Sequence, residues 1–139
     1  MRDIRRNVTG IAFGLGLLSK IDVGAARVQA LVLCPTRELA DQVTAEIRRL
    51  ARFVPNLKVV PLCGGVPVRT QAPSLVHPPH VVVGTPGRLL DHLRRGTLAL
   101  AALRVLVLDE ADRMLDMGFA EAIADVVAQL PGPRQTLLF

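Results

Sequence analysis

Val105-Leu106-Val107-Leu108-Asp109-Glu110-Ala111-Asp112 sets four apolar residues directly before three carboxylates within four positions. An unbroken apolar run of this length predicts a strand buried on both faces, as in a parallel sheet. The acids then emerge at the carboxyl end of that strand, where open α/β sheets place their ligands. An acid at such a point can hold a Mg²⁺ ion against nucleotide phosphates, and its neighbour can position an attacking water. A strand-end Asp can also do no more than cap the following helix. The string Asp109-Glu110-Ala111-Asp112 is too specific for capping alone, which favours the chemical role.

A length of 139 residues suits one domain. Half of the residues are hydrophobic, enough for a buried core and too many for a disordered chain. No apolar run approaches the ~18 residues of a membrane span. Arg2, Arg5 and Arg6 are not followed by the apolar stretch and cleavage site of a signal peptide. A cytoplasmic protein without a membrane partner is expected. The net charge is +5, from 17 basic and 12 acidic residues, and only Lys20 and Lys58 among the basic ones are Lys. Arg favours bidentate phosphate contact, so a nucleic-acid partner fits, although genome composition also produces Arg in place of Lys. With four Phe, no Trp and no Tyr, base stacking is disfavoured. A bound strand is expected to be held by its sugar-phosphate backbone. Cys34 and Cys63 have no partner at metal-ligand spacing, and His77, His80 and His92 form no Cys/His cluster. Both cysteines read as small buried thiols in a reducing compartment.

Strand-like and helix-like segments alternate along the chain. Val28 to Cys34, Lys58 to Leu62, His80 to Val83, Val105 to Leu108 and Gln135 to Phe139 read as strands. Leu39, Val43, Ile47 and Leu50 mark one helix face, and Leu89, Leu90 and Leu93 a second. Phe119, Ile123, Val126, Val127 and Leu130 mark a third. The Pro-rich stretch around Pro67, Pro73, Pro78 and Pro79 leaves room for a short helix at most. This alternation predicts βαβ units and a mainly parallel sheet. Two helix starts share a design: Pro35-Thr36-Arg37 and Thr85-Pro86-Gly87-Arg88. In each, a Thr is expected to cap the helix, and free backbone N–H groups and an Arg stand at its positive end. Gly64-Gly65 reads either as a turn or as a place of close approach to a ligand. Three such places at strand ends make a phosphate track more credible than any one alone.

Taken together, Pro35-Thr36-Arg37-Glu38-Leu39-Ala40, Gly64-Gly65, Thr85-Pro86-Gly87-Arg88 and Asp109-Glu110-Ala111-Asp112 follow the order and spacing of DEAD-box RNA helicases. From about Ala12 to Phe139 the chain resembles the first of their two RecA-like domains. Ala30 to Gln42 and Leu89 to Leu115 most resemble the bacterial subgroup acting on large-subunit ribosomal RNA. The resemblance implies a RecA-like, P-loop NTPase-type three-layer α/β fold, ATP and Mg²⁺ as cofactors, and RNA as partner. It implies that Asp109 holds Mg²⁺ through water, that Glu110 orients or deprotonates the attacking water, and that Asp112 couples the site to other motifs on domain closure. It implies RNA-backbone contacts from Pro35, Thr36, Arg37, Gly64, Gly65, Thr85, Pro86, Gly87 and Arg88. A second RecA-like domain is expected in the whole enzyme.

The chain departs from the family at its start. The family carries a G-x-x-x-x-G-K-T loop before the helix that Ala12 to Leu18 resembles, and no such run occurs here. Thr9-Gly10 is its only candidate remnant. Residues 1–11 are thus expected to be a divergent segment lacking the phosphate-binding loop, and 12–139 a partial ATP-binding domain, incomplete at both ends. Three readings follow: a piece of an ATP-dependent RNA helicase, a catalytically inactive RNA-binding module, or a non-functional gene fragment.

Overall fold

The computed structural model describes residues 14–139. It contains five strands, β1 (Ala30–Leu33), β2 (Val59–Leu62), β3 (Val81–Gly84), β4 (Val105–Leu108) and β5 (Gln135–Leu138). They form one sheet in the order β2-β3-β1-β4-β5, and every neighbouring pair is parallel. Parallel neighbours need long crossovers, and helices supply them. These are α1 (described over 14–18), α2 (Arg37–Leu50), the short α3 (Val68–Gln71), α4 (Pro86–Arg95), α5 (Ala111–Asp116) and α6 (Ala120–Val127).

The apolar strand runs explain the layering. Alternate side chains leave a strand on opposite faces. Ala30, Val32, Val81, Val83, Val105 and Val107 enter one core with Val43 and Ile47 of α2 and Leu17 of α1. Leu31, Leu33, Val82 and Leu106 enter the second, with Leu89 and Leu90 of α4, Met114 of α5 and Val126 of α6. Two cores on the two faces of one sheet make a three-layer α/β/α domain, in agreement with the expected parallel sheet. β5 pairs only with β4 among the described residues, and its residues are mostly exposed. At the end of β3, a Cβ on Gly84 would collide with the Leu62 carbonyl and the Leu89 side chain, so the two strands and α4 close there only around glycine.

Several boundaries differ from the sequence reading. The first strand begins at Ala30 rather than Val28. The Gln29 side chain is turned to the preceding loop, where it accepts from the Asp22 N–H and donates to the Asp22 and Ala25 carbonyls. The third strand likewise begins at Val81, because His80 is engaged as a connector: its Nδ1 accepts from the Lys58 N–H at 3.0 Å. After β4 there are two helices where one was expected, and Gly118, at φ 86°, makes the left-handed break between them. Among the described residues, no helix is long and apolar enough to cross a membrane.

Candidate functional site

The strands end flush. Leu33 pairs with Gly84 and Leu108, Gly84 with Leu62, and Leu108 with Leu138. The ladder continues one residue further, with Cys34 N–H donating to Gly84 O at 2.9 Å and Asp109 N–H to Leu33 O at 2.9 Å. Four sequence motifs therefore open on one edge of the sheet. In strand order they are Gly64-Gly65 after β2, Thr85 to Arg88 after β3, Pro35 to Arg37 after β1, and Asp109 to Asp112 after β4. At about 4.8 Å per strand, the glycine pair and the acids stand roughly 14 Å apart across the edge.

The first three motifs are tied to one another. Gly65 has φ 96°, and a Cβ there would lie 2.8 Å from Arg37 Nη1, so the Arg37 guanidinium rests on the glycine across the intervening strand. Arg37 is otherwise exposed, 3.9 Å from Asp41. Arg88 is different, for its side chain is only 12% exposed. Its Nη1 donates to Val66 O at 2.7 Å and to Gln71 Oε1 at 3.1 Å, which pins the glycine loop to the start of α4. Gln71 in turn donates to Cys63 O at 2.9 Å. The expected pair of Thr caps divides. Thr36 Oγ1 accepts from Leu39 N–H at 3.2 Å, whereas Thr85 stands at the N-cap position without a side-chain capping bond. Pro86 at the first helical position has no N–H, so α4 starts with one orphan donor fewer.

The acids occupy a different environment. Asp109 is buried, and its main chain continues the sheet. Glu110 takes left-handed backbone angles, φ 56° and ψ 53°, which are uncommon for a residue with a Cβ. That twist turns the chain into α5 and sets the Glu110 carboxylate 3.2 Å from Arg113 Nη1. Asp112 is exposed in the first turn of α5. The end of β5 closes the other side, with Ala111 N–H donating to Phe139 O at 3.1 Å. Adjacent hard carboxylate oxygens suit Mg²⁺, an ion that takes one or two carboxylates and completes its shell with water and phosphates. Among the described residues, no group of three His, Cys, Asp or Glu side chains is placed to hold a metal ion. Thr9 and Gly10 lie outside the described residues.

Two perturbed groups stand beside the track. Burial first, and the Asp41 carboxylate second, push the Cys63 thiol up to about 11 against the pull of Arg37 and Arg88. Cys63 is a buried protonated thiol at neutral pH, as its isolated position in the sequence suggested. Burial, and after it the Arg88 guanidinium, holds the His92 imidazole below its ordinary value. Sequence reading assigned no part in this region to Gln71 and Arg113, and weighed His92 only as a metal ligand. His92 follows Arg88 by four positions on a helix, and Arg113 follows Glu110 by three, so both spacings carried a signal. Gln71, in a Pro-rich stretch, carried none.

The sequence profile of the family described as "DEAD/DEAH box helicase" matches residues 10–139. The ATP-dependent RNA helicase DbpA of Escherichia coli (strain K12) is 66% identical over 128 residues, covering 92% of this chain and 28% of that protein. The DEAD-box ATP-dependent RNA helicase CshA of Geobacillus kaustophilus is 48% identical over 128 residues, 92% of this chain and 27% of that protein. Among solved structures, S. cerevisiae Dbp5 bound to RNA and ADP BeF3 superposes with a TM-score of 0.84 at 32% identity, over 94% of this chain and 32% of that one. The chain thus spans between a quarter and a third of the length of these relatives. The expected RecA-like α/β fold is the one it adopts.

Proposed function

This chain belongs to the DEAD/DEAH box helicase family, and on that premise we propose that it is the first RecA-like part of an ATP-dependent RNA helicase. One observation carries the reading: four motifs from distant parts of the sequence open at flush ends of neighbouring parallel strands. Residues 12–139 form the partial ATP-binding domain of this reading, and 1–11 a divergent lead-in. The whole enzyme couples ATP hydrolysis to local opening of an RNA duplex. Ribosomal RNA is the proposed target and the cytoplasm the proposed location.

The strand-binding half comprises Pro35, Thr36, Arg37, Gly64, Gly65, Thr85, Pro86, Gly87 and Arg88. Added Cβ atoms on Gly64 and Gly87 would meet nothing within 4 Å, so the backbone there is open to a close-lying strand. The N-termini of α2 and α4 turn main-chain N–H groups toward the same edge, which suits phosphates and ribose hydroxyls. Such contacts read no base, in keeping with a chain that has no Trp or Tyr. The hydrolytic half comprises Asp109, Glu110 and Asp112. Asp109 would hold Mg²⁺ through water, and the ion would screen phosphate charge. Glu110 orients or deprotonates the attacking water, and Asp112 couples this half to a second RecA-like domain. Thr9 and Gly10 are proposed to border the triphosphate.

The test is a titration of the folded chain with a fluorescent ATP analogue and Mg²⁺, with and without single-stranded RNA. Saturable binding that Asp109→Asn abolishes is the expected result. A folded chain with no affinity at millimolar nucleotide would remove hydrolysis from this chain's repertoire. A second reading, RNA binding without hydrolysis, is favoured by the absence of any G-x-x-x-x-G-K-T run, since that loop supplies the phosphate cradle, its Lys and a Mg²⁺ ligand. It predicts salt-sensitive RNA binding weakened by Arg37→Ala and by Arg88→Ala. Unchanged affinity in both variants would dispose of it.

A further inference from the structure

His92 is fully buried, and neither strand binding nor hydrolysis as described uses it. It lies one turn after Arg88 on α4, so both side chains share a face with Gln71 of α3 between them. Gln71 Nε2 donates to the Cys63 carbonyl, which leaves Oε1 as the accepting end of the amide. That one oxygen is 3.1 Å from Arg88 Nη1 and 2.9 Å from His92 Nε2. An amide oxygen only accepts, so both nitrogens donate to it and the imidazole carries its proton on Nε2. Nδ1 is then an acceptor for the Thr97 hydroxyl at 2.7 Å, a closer partner for that one proton than the His92 carbonyl at 3.2 Å. Thr97 follows Gly96, whose left-handed turn ends α4 at φ 73°. One chain of bonds therefore runs from the end of α4 through His92 and Gln71 to Arg88, the Val66 carbonyl and the Cys63 carbonyl.

We propose that His92 and Gln71 are positioning residues for strand binding, locking the glycine loop and the start of α4 into one rigid unit. The inference rests on the strand-binding reading above and names what holds that track in shape. Gly64-Gly65 follows β2 and Gly87-Arg88 lies in the first turn of α4 after β3, and the ladder between these strands ends with Thr85 N–H on Leu62 O at 3.3 Å, short of both pairs. A glycine pair in a loop is free to move unless side chains order it. The Gln71 amide does so by bonding both sides at once: its oxygen takes Arg88 and His92 of α4, and its nitrogen donates to the Cys63 carbonyl just before the glycine pair. Without it Arg88 keeps its bond to Val66 O and its ion pair with Asp91, but the glycine loop loses its second tie to α4, and binding must itself supply part of the order. The donor on His92 keeps that oxygen turned toward Arg88 instead of rotating out to water.

The experiment compares binding of a fluorescent single-stranded RNA to the 139-residue chain and its variants across a salt series, with urea unfolding of each. His92→Leu and Gln71→Leu are each expected to weaken binding about tenfold, and the pair together little more than either alone, because they act as one unit. His92→Gln, which restores a donor at similar reach, is expected to recover most of the loss, and filling the core alone would not account for that. The salt slope should stay at the wild-type value in His92→Leu, since no phosphate contact is removed, whereas Arg37→Ala should flatten it by about one. Wild-type affinity in a folded His92→Leu, failure of His92→Gln to recover binding, or a flattened slope in His92→Leu each overturns the proposal. If His92→Leu does not fold, Thr97→Val carries the decision, with about threefold weaker binding expected and unchanged binding counting against the lock. Should Arg37→Ala weaken binding while the His92 and Gln71 variants do not, only the positioning role falls. Should the folded wild-type chain not bind RNA, the strand-binding reading falls and this one with it.

Discussion

Glu110 combines an uncommon backbone conformation with a proposed role at the attacking water. Its left-handed angles, φ 56° and ψ 53°, cost on the order of 1 kcal/mol for a side chain bearing a Cβ. Glu110→Gly and Glu110→Gln both remove the carboxylate charge and with it the ion pair to Arg113, an exposed pair of little energetic weight. Only the glycine also removes the strain. In urea unfolding, Glu110→Gly is expected to be about 1 kcal/mol more stable than Glu110→Gln, and equal stability would mean that the turn is not strained. The glycine pair offers the complementary contrast. Gly65 has φ 96° and the Arg37 guanidinium against it, while Gly64 faces open space. Gly65→Ala should therefore cost about 1–2 kcal/mol of stability and Gly64→Ala no more than about 0.5 kcal/mol. Similar costs at both positions would remove the argument that Arg37 packs on this turn. The pair was visible in the sequence as a break after an apolar run, but which glycine takes the positive φ and meets the Arg at the start of α2 is settled by the fold, and no local pattern encodes that.

At the level of elements, the two helix starts that look alike in sequence are built differently. The Thr36 side chain satisfies a main-chain donor of α2, while the start of α4 uses Pro86 and leaves Thr85 without a capping bond. Thr36→Ala should cost about 1 kcal/mol of stability. Thr85→Ala should stay within about 0.5 kcal/mol. Equal losses in urea unfolding would show that both hydroxyls cap. The strands themselves were legible, because runs such as Val81-Val82-Val83 and Val105 to Leu108 are apolar on both faces and only a covered parallel sheet accommodates that. Their ends were less legible. Val28 and Gln29 are as apolar or as buried as a strand requires, yet Gln29 spends its side chain on the loop before β1. The break at Gly118 was equally hidden, since helical spacing from Phe119 onward says nothing of a separate α5 before it. Of the bonds that join Gln71, His92 and Arg88, only the four-residue spacing of Arg88 and His92 was legible; Gln71 comes from another segment and meets them only when β2 and β3 are neighbours.

For the whole molecule, alternation of strands and helices implied a parallel sheet but not its order. The order β2-β3-β1-β4-β5 has the practical effect of gathering the three motifs proposed to bind the strand after β2, β3 and β1 and placing the acids after β4. It also buries Cys63, the residue just before the glycine pair, and that burial gives the fold a dependence on pH. The thiol ionises near 9.0 when ordinary and near about 11 in the folded chain, burial being the main cause and the Asp41 carboxylate the next. Between those values the folded state holds a proton that the unfolded state has released. Stability from this group is therefore complete below pH 9 and is lost as pH rises toward 11, by up to about 1.4 kcal/mol per pH unit. The composition makes the effect separable, since the chain has no Tyr, only two Lys and one other Cys to titrate in that range. Urea unfolding at pH 8 and at pH 10 should show wild type losing about 1 kcal/mol more than Cys63→Ala over the interval. Equal losses in the two proteins would mean that the thiol reaches solvent. In that case the glycine loop that follows it is not held closed, and the tie from Gln71 to the Cys63 carbonyl is weaker than its 2.9 Å length implies.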